Sequence, residues 1–123
     1  MPAFEGTAFL KDIPAIDLLG GSIGTLAAPR SRPADYADGP LRAGLTALHV
    51  SVGVYASNIE PVLDEIYDFD CLFRDMSPRL LPVLSAGDFE AAKQSGRIGV
   101  VLGSQGLDYI GKNPRLLSIV WRL

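Results

Sequence analysis

Few side chains in this sequence are suited to acid–base or metal chemistry, and they are spread along the chain. The 123 residues contain one histidine, His49, and one cysteine, Cys71, so neither a histidine cluster nor an internal disulfide can form. Asp17 closes a short apolar run, and Gln105 ends another. We predict that Asp17, His49 and Gln105 line one site at the ends of three neighbouring parallel strands.

His49 and Gln105 belong to segments whose side chains alternate in character. From Leu45 to Val54, aliphatic residues share one face and small or polar residues, including His49, share the other. The segment from Arg97 to Gln105 repeats this pattern, with Gln105 on its small-residue face. Such alternation predicts strands, and a barrel turns the small-residue face inward. A lone histidine on a strand is also compatible with a hydrogen-bonded core residue.

Helical spacing predicts the elements between these strands. Apolar residues recur at helical intervals from Ile59 to Phe73, behind Ser57 or Asn58 as the N-cap. A second helix is predicted between Ser85, as N-cap, and Gly96, which stops it. The acidic residues of the first helix are spread around it, so they predict a solvated face rather than a metal site: Asp64, Glu65, Asp68 and Asp70.

The remaining segments have weaker patterns. The run from Ile13 to Asp17 predicts the first strand, and Leu80 to Leu84 predicts a brief extended stretch. Three prolines between Gly24 and Pro40 predict an irregular connection, long enough to act as a lid. A last helix is predicted from Asn113, and because it reaches Leu123 without a stop signal, the pattern favours a fragment.

Strands that alternate with helices predict an α/β fold with a parallel sheet. A few such units leave strand edges and inner surface uncovered, and their natural completion is a barrel of about 250 residues. We therefore predict that residues 1–123 form one partial domain, the N-terminal strand–helix units of a truncated TIM-type (β/α)8 barrel. The expected partners are the missing remainder of the barrel or further copies of the chain.

Composition excludes several classes of partner. The net charge of -3 and the pI near 5.0 argue against nucleic-acid binding, which needs clustered basic residues. No apolar run is long enough to span a bilayer, so no membrane partner is expected. The single cysteine and the lack of a signal-peptide pattern favour a cytoplasmic location.

The order of these elements, the run from Ile13 to Asp17 and the stretch from Asp88 to Gln105 resemble the membrane (renal) dipeptidase family of zinc hydrolases. In the second stretch that family has a helix ending in a Gly-Arg/Lys-Ile/Val step, an apolar strand and a metal-bridging Glu-Gly. The resemblance covers nearly the whole chain. It implies a barrel in which two zinc ions share a carboxylate, activate a water molecule and cleave a dipeptide or similar small amide.

The chain departs from that family at the ligand positions. In that family, an Asp in the first strand is followed two residues later by a His-x-Asp ligand pair. If Asp17 matches this leading Asp, the two ligand positions fall on Leu19 and Gly21. If Asp17 instead matches the ligand Asp, Ala15 stands where the histidine should be. Gln105 replaces the bridging Glu, and a neutral amide is a poor bridge between two cations. A branch of the family with this Gln also has a histidine in the second strand, as His49 is here. Zinc is therefore implied by the resemblance only, and we expect this chain alone to bind none.

The sequence leaves two main functions open and assigns no catalytic residue. In the first, the chain is the N-terminal portion of a membrane dipeptidase-like hydrolase for dipeptides or similar small amides, with an altered or lost metal site lined by Asp17, His49 and Gln105. In the second, it belongs to a non-catalytic barrel relative that acts as a ligand-binding or regulatory module. An unrelated α/β protein with a structural His49 is a third alternative.

Overall fold

Helices and strands alternate along the part of the chain that the computed structural model describes, residues 10–22 and 33–122. The four strands form one parallel sheet in the order β1-β2-β4-β3. This arrangement confirms the predicted α/β fold class. The elements are β1 (Ile16–Ser22), α1 (Pro33–Arg42), β2 (Ala47–Ser51), α2 (Ile59–Asp75), β3 (Leu80–Pro82), α3 (Ala86–Ser95), β4 (Ile98–Gly103), a 3-10 turn (Asp108–Ile110) and α4 (Arg115–Val120).

The strands β1, β2 and β4 are neighbours with β2 in the middle, as the sequence predicts. Their order is the one that consecutive strands of a parallel barrel would have. The short strand β3 lies outside this run and pairs only with Ile98 to Val100, in the first half of β4. The sheet is therefore consistent with three barrel strands and one short edge strand.

One face of the sheet carries the aliphatic residues of both alternating strands and packs against α2. Val50 and Val100 on this face are at most 1% exposed, and Val62 of α2 is fully buried beside them. Burying side chains of this size stabilises the fold by about 1.5–3 kcal/mol each. The core formed by this face and α2 consists of Leu48, Val50, Val52, Val62, Ile66, Phe69, Leu72, Met76, Leu80, Ile98 and Val100, together with Ala37 of α1 and Tyr109.

The opposite face is covered by α3 at its amino-terminal end. A Cβ added to Gly99 would lie 3.2 Å from the Cβ of Ala47 and 3.5 Å from that of Ala92 in α3, so all three share this face. The crossover through α2 runs from β2 to edge strand β3, past the position of β4. The next crossover, through α3, returns from β3 to β4 and therefore runs in the opposite direction across the sheet. Because crossovers are right-handed, this return puts α3 on the other face from α2. The carboxyl-terminal half of this face carries His49 and Ser51.

The expected irregular connection from Gly24 to Pro40 is wrong over its last residues. Pro33–Arg42 forms α1, whereas residues 24–32 lie outside the described residues. A proline at the first helical position is tolerated because its missing N–H has no partner within the helix. Ala37 is fully buried in the core, so tertiary packing outweighs the helix-breaking composition.

The predicted caps of α2 and α3 are confirmed, whereas the N-cap of α4 is Pro114 and not the predicted Asn113. The Oδ1 atom of Asn58 accepts a hydrogen bond from the Glu60 N–H at 3.1 Å, which makes Asn58 the N-cap of α2. Ser85 and Asp88 form a capping box at α3, and Gly96 ends that helix with a left-handed φ of 66°. No helix in the described ranges is long and apolar enough to cross a membrane.

Candidate functional site

The carboxyl-terminal half of β2 and β4 carries the imidazole of His49 on its small-residue face. His49 pairs with Val101, and its ring occupies the space that a side chain at Gly103 would fill. A Cβ on Gly103 would overlap Nε2 of His49 and lie 3.0 Å from its Cδ2. Glycine at position 103 is therefore required for the imidazole to sit across β4.

Two buried polar atoms on this face have no hydrogen-bond partner within the described structure, Nδ1 of His49 and Oγ of Ser51. Ser51 is 1% exposed and lies two residues after His49, so the two side chains leave the strand about 7 Å apart. An unpaired buried polar group costs about 1–3 kcal/mol, and nearly all such groups are paired in folded proteins. A polar ligand that contacts both atoms would recover this cost. Sequence reasoning missed Ser51, although it shares the parity of His49.

The turn after β2 is held by a hydrogen bond from α2. The Gly53 N–H donates to Oε2 of Glu65 at 2.6 Å, and Gly53 has a φ of 70°. A Cβ at Gly53 would meet Val62 at 2.9 Å and the ring of Tyr109 at 3.0 Å. The hydroxyl of Tyr109 is a third buried polar atom without a partner in the described structure. The chain therefore leaves β2 along a path that packing fixes.

Glu65 departs from the predicted solvated acidic face of α2. Its side chain is half-buried because it turns back to accept the hydrogen bond from Gly53. The other members of the set are exposed, as predicted: Asp64, Asp68 and Asp70.

Asp17 does not lie at the carboxyl end of its strand, so this part of the prediction is wrong. The strand β1 begins at Ile16 and continues past Asp17, because the residues that follow pair with β2 instead of forming a loop. Asp17 pairs with Leu48, which faces α2, and its register therefore puts it on the face opposite His49. Its exposed carboxylate accepts a hydrogen bond from the Leu19 N–H at 2.9 Å.

Beyond Asp17, the pairing of β1 with β2 contains a bulge. Asp17 pairs with Leu48 and Gly21 pairs with Val50, so three residues of β1 stand opposite His49 alone. Such a bulge re-aims the side chains around it. It is the one irregularity in the pairing of the described strands, and it lies beside His49.

Gln105 follows β4 by two residues, at the same end of the sheet as Ser51. Its side chain is exposed, and within the described residues its amide makes no hydrogen bond. The structure thus brings His49, Ser51 and the segment that leads to Gln105 to one end of the sheet. It leaves Asp17 near the other end of β1 and on the other face.

The residues present do not fit the two-zinc centre that the family resemblance implies. Leu19 and Gly21, at two of the ligand positions, have no donor side chain, and Gln105 offers a neutral amide. His49 supplies the single imidazole of this chain, with its ring packed over Gly103. No group of three His, Cys, Asp or Glu side chains that could hold a metal ion occurs within residues 10–22 and 33–122. We assign no metal to these residues.

The fold is shared with part of a larger enzyme. The crystal structure of an amidohydrolase from Pseudomonas aeruginosa matches this chain with a TM-score of 0.71 at 22% sequence identity. The match covers 95% of this chain and 34% of that one, so this chain spans about a third of the amidohydrolase's length. At this identity the likeness shows the fold alone. No family model and no curated protein matches the sequence.

Proposed function

We propose that this chain is the N-terminal part of a barrel hydrolase that acts on dipeptides or similar small amides. Its substrate site lies at the carboxyl ends of β2 and β4. The observation that carries the proposal is the pair of buried atoms without a hydrogen-bond partner in the described structure, Nδ1 of His49 and Oγ of Ser51, on the face where the His49 ring lies over Gly103. Parallel barrels bind substrates at this end of their strands. The shared fold with an amidohydrolase supports the same reading.

The chain's own residues bind and orient the substrate in this proposal. A substrate amide has a carbonyl acceptor and an N–H donor, which match a hydroxyl and an imidazole nitrogen. His49 holds a proton at one ring nitrogen and accepts one at the other, so it can assist proton transfer to the leaving amine. Gln105, at the rim, offers both a donor and an acceptor. No step is assigned to zinc.

A non-catalytic ligand-binding module is the second candidate function. It is favoured by the absence of donor side chains at Leu19 and Gly21 and by the neutral amide at Gln105. The same pair, His49 and Ser51, would then bind a small amide without cleaving it. For both candidate functions we propose a cytoplasmic location, since a lone cysteine is typical of a reducing compartment.

The test compares hydrolysis with binding in the longest natural protein that carries this sequence. Release of free amine from Ala-Ala and Ala-Phe measures hydrolysis, and calorimetry measures binding of the same dipeptides. For an enzyme we expect the His49→Gln variant to lose activity by roughly 100-fold or more, since general acid–base groups contribute that much. Glu90→Gln, an exposed change on α3, serves as the control.

The outcomes separate the two candidates. Binding without hydrolysis, lost in His49→Gln and Ser51→Ala, supports the binding module. Full activity in His49→Gln with an unchanged melting temperature would exclude this site.

A further inference from the structure

A cleft of about 450 Å3 lies at the amino-terminal end of the sheet, away from His49. Its walls include Thr46, which precedes β2, and Arg97, which precedes β4. Small-molecule sites typically have volumes of about 300–1,000 Å3, so the cleft is large enough for one. Neither the proposed hydrolase function nor its site uses any residue of this cleft.

Among the described residues, three with cationic side chains line the cleft, and none of the lining residues in that part of the chain carries a carboxylate. The ammonium of Lys93 donates to the Leu10 carbonyl, and the guanidinium of Arg97 donates to Ser95 Oγ at 3.0 Å and to the Ser77 carbonyl at 3.3 Å. Lys11, the third cation, makes no hydrogen bond or ion pair in the described structure. Lys93 and Arg97 are thus held at the wall of the cleft by neutral oxygen atoms. Neutral acceptors do not compensate the positive charges of these two side chains.

Helix dipoles offset only part of this charge. The carboxyl ends of α1 and α3 both border the cleft, and each carries about half a negative charge. Together they offset about one of three positive charges. The cleft therefore retains a positive potential, in a chain whose net charge is -3. A cleft lined by one sign of charge concentrates the opposite ion.

The remaining walls of the cleft are largely apolar. They include the side chains of Leu10, Leu41, Leu45 and Ala92. Inorganic anions gain nothing from such a surface, whereas an anion with a hydrocarbon body buries apolar area against it. We propose that the cleft binds a small organic carboxylate with a short aliphatic chain, whose carboxylate contacts Lys11, Lys93 and Arg97. This proposal stands without the proposed function, because the two sites lie at opposite ends of the strands.

The first test is a titration of the full chain, followed by the chemical shifts of its backbone amides. The probes are hexanoate, hexanol and hexylammonium, which share one hydrocarbon chain and differ in head-group charge. Hexanoate should bind at least tenfold more tightly than the other two, shift amides around Gly44 and Gly96, and weaken as salt is added. Equal binding of the three probes, or no saturable shift with about 10 mM hexanoate, overturns the proposal.

The second test uses matched charge-removing variants. Lys11→Gln and Arg97→Gln should each weaken hexanoate binding about two- to fivefold, the effect of one exposed ion pair, and leave hexanol unaffected. Lys112→Gln removes an exposed charge outside the cleft and should change nothing. Arg97→Gln also loses two structural hydrogen bonds, so Lys11→Gln decides the result if that variant unfolds. Wild-type affinity in Lys11→Gln, or equal weakening by Lys112→Gln, overturns the proposal.

Discussion

At the scale of single residues, the site depends on one missing side chain. The imidazole of His49 takes the space next to Gly103, so a Cβ at position 103 would overlap the ring. Alternation along β4 predicts a small residue at 103, but it does not reveal which neighbour needs the space. The contact between His49 and Gly103 therefore explains why the small-residue face of β4 has a glycine at this position.

Gly103→Ala should destabilise the fold by about 1–3 kcal/mol, because the added methyl overlaps the His49 ring. The same change in a His49→Ala background should cost less than about 1 kcal/mol. Urea unfolding of the four proteins measures this coupling. Equal costs in the two backgrounds would show that the ring does not occupy this space.

Tyr55 carries a second residue-scale prediction. Its φ is 66° and its side chain is fully exposed, so packing does not compensate the strain of a left-handed bulky residue. Tyr55→Gly should raise the free energy of unfolding by about 0.5–1 kcal/mol, since glycine adopts this φ without strain. Tyr55→Phe keeps the strain and should match the wild type. A destabilised Tyr55→Gly would contradict the assignment of strain.

At the scale of elements, one carboxylate, that of Asp88, stabilises the start of α3. Asp88 accepts hydrogen bonds from the Leu84 N–H, the Ser85 N–H and the Ser85 hydroxyl, at 2.7–3.0 Å. These hydrogen bonds, that from Leu84 foremost, lower the pKa of Asp88 below its usual value. The carboxylate form is therefore favoured in the folded state.

The lowered pKa of Asp88 makes its contribution to the stability of the fold depend on pH in a definite direction. Because the folded pKa lies below the unfolded value of about 3.9, the stabilisation is fully present above that pH. It is lost as the pH falls through the folded pKa. Asp88→Asn should be less stable than the wild type at pH 7. This gap in stability between the two proteins should close below about pH 4. Thermal unfolding across pH 2–7 measures the gap, and Glu90→Gln on the same helix is the control. A gap that does not change with pH would contradict the capping role.

At the scale of the whole molecule, apolar surface and one strand edge stay open in the described structure. Leu18 and Leu19 of edge strand β1 are each 73% exposed, and Leu84 and Trp121 are more exposed still. An exposed apolar edge strand is a template for pairing with another chain. These features fit a sheet that forms one part of a larger barrel, as the match to a third of the amidohydrolase does.

We expect the isolated chain to self-associate, because nothing in the described structure covers the outer edge of β1. Leu18→Lys with Leu19→Lys should reduce association, since charged residues on an edge strand oppose pairing. Sedimentation velocity over a range of concentrations measures the change. Tyr67→Lys, on the exposed side of α2, is the matched control. A monomer at every concentration would contradict the expectation.

The sequence by itself determined the features that depend on local energies. Alternation identified β2 and β4 and their two faces, because successive side chains of a strand leave on opposite sides. Asn58, Ser85 and Gly96 marked helix ends, because a cap needs only the residues next to it. Strand–helix alternation predicted the parallel order of β1, β2 and β4, since short right-handed crossovers leave few choices.

Tertiary structure alone decided the features that depend on contacts between distant segments. The pairing of β1 with β2 put Asp17 opposite Leu48, on the face away from His49, because paired residues of neighbouring strands leave the sheet on the same side. Packing of Ala37 made a helix of a proline-containing segment. The unpaired atoms at His49 and the cationic cleft at Arg97 arise where strands and helices meet. Local patterns carry no information about such meetings, because the chain positions involved lie tens of residues apart.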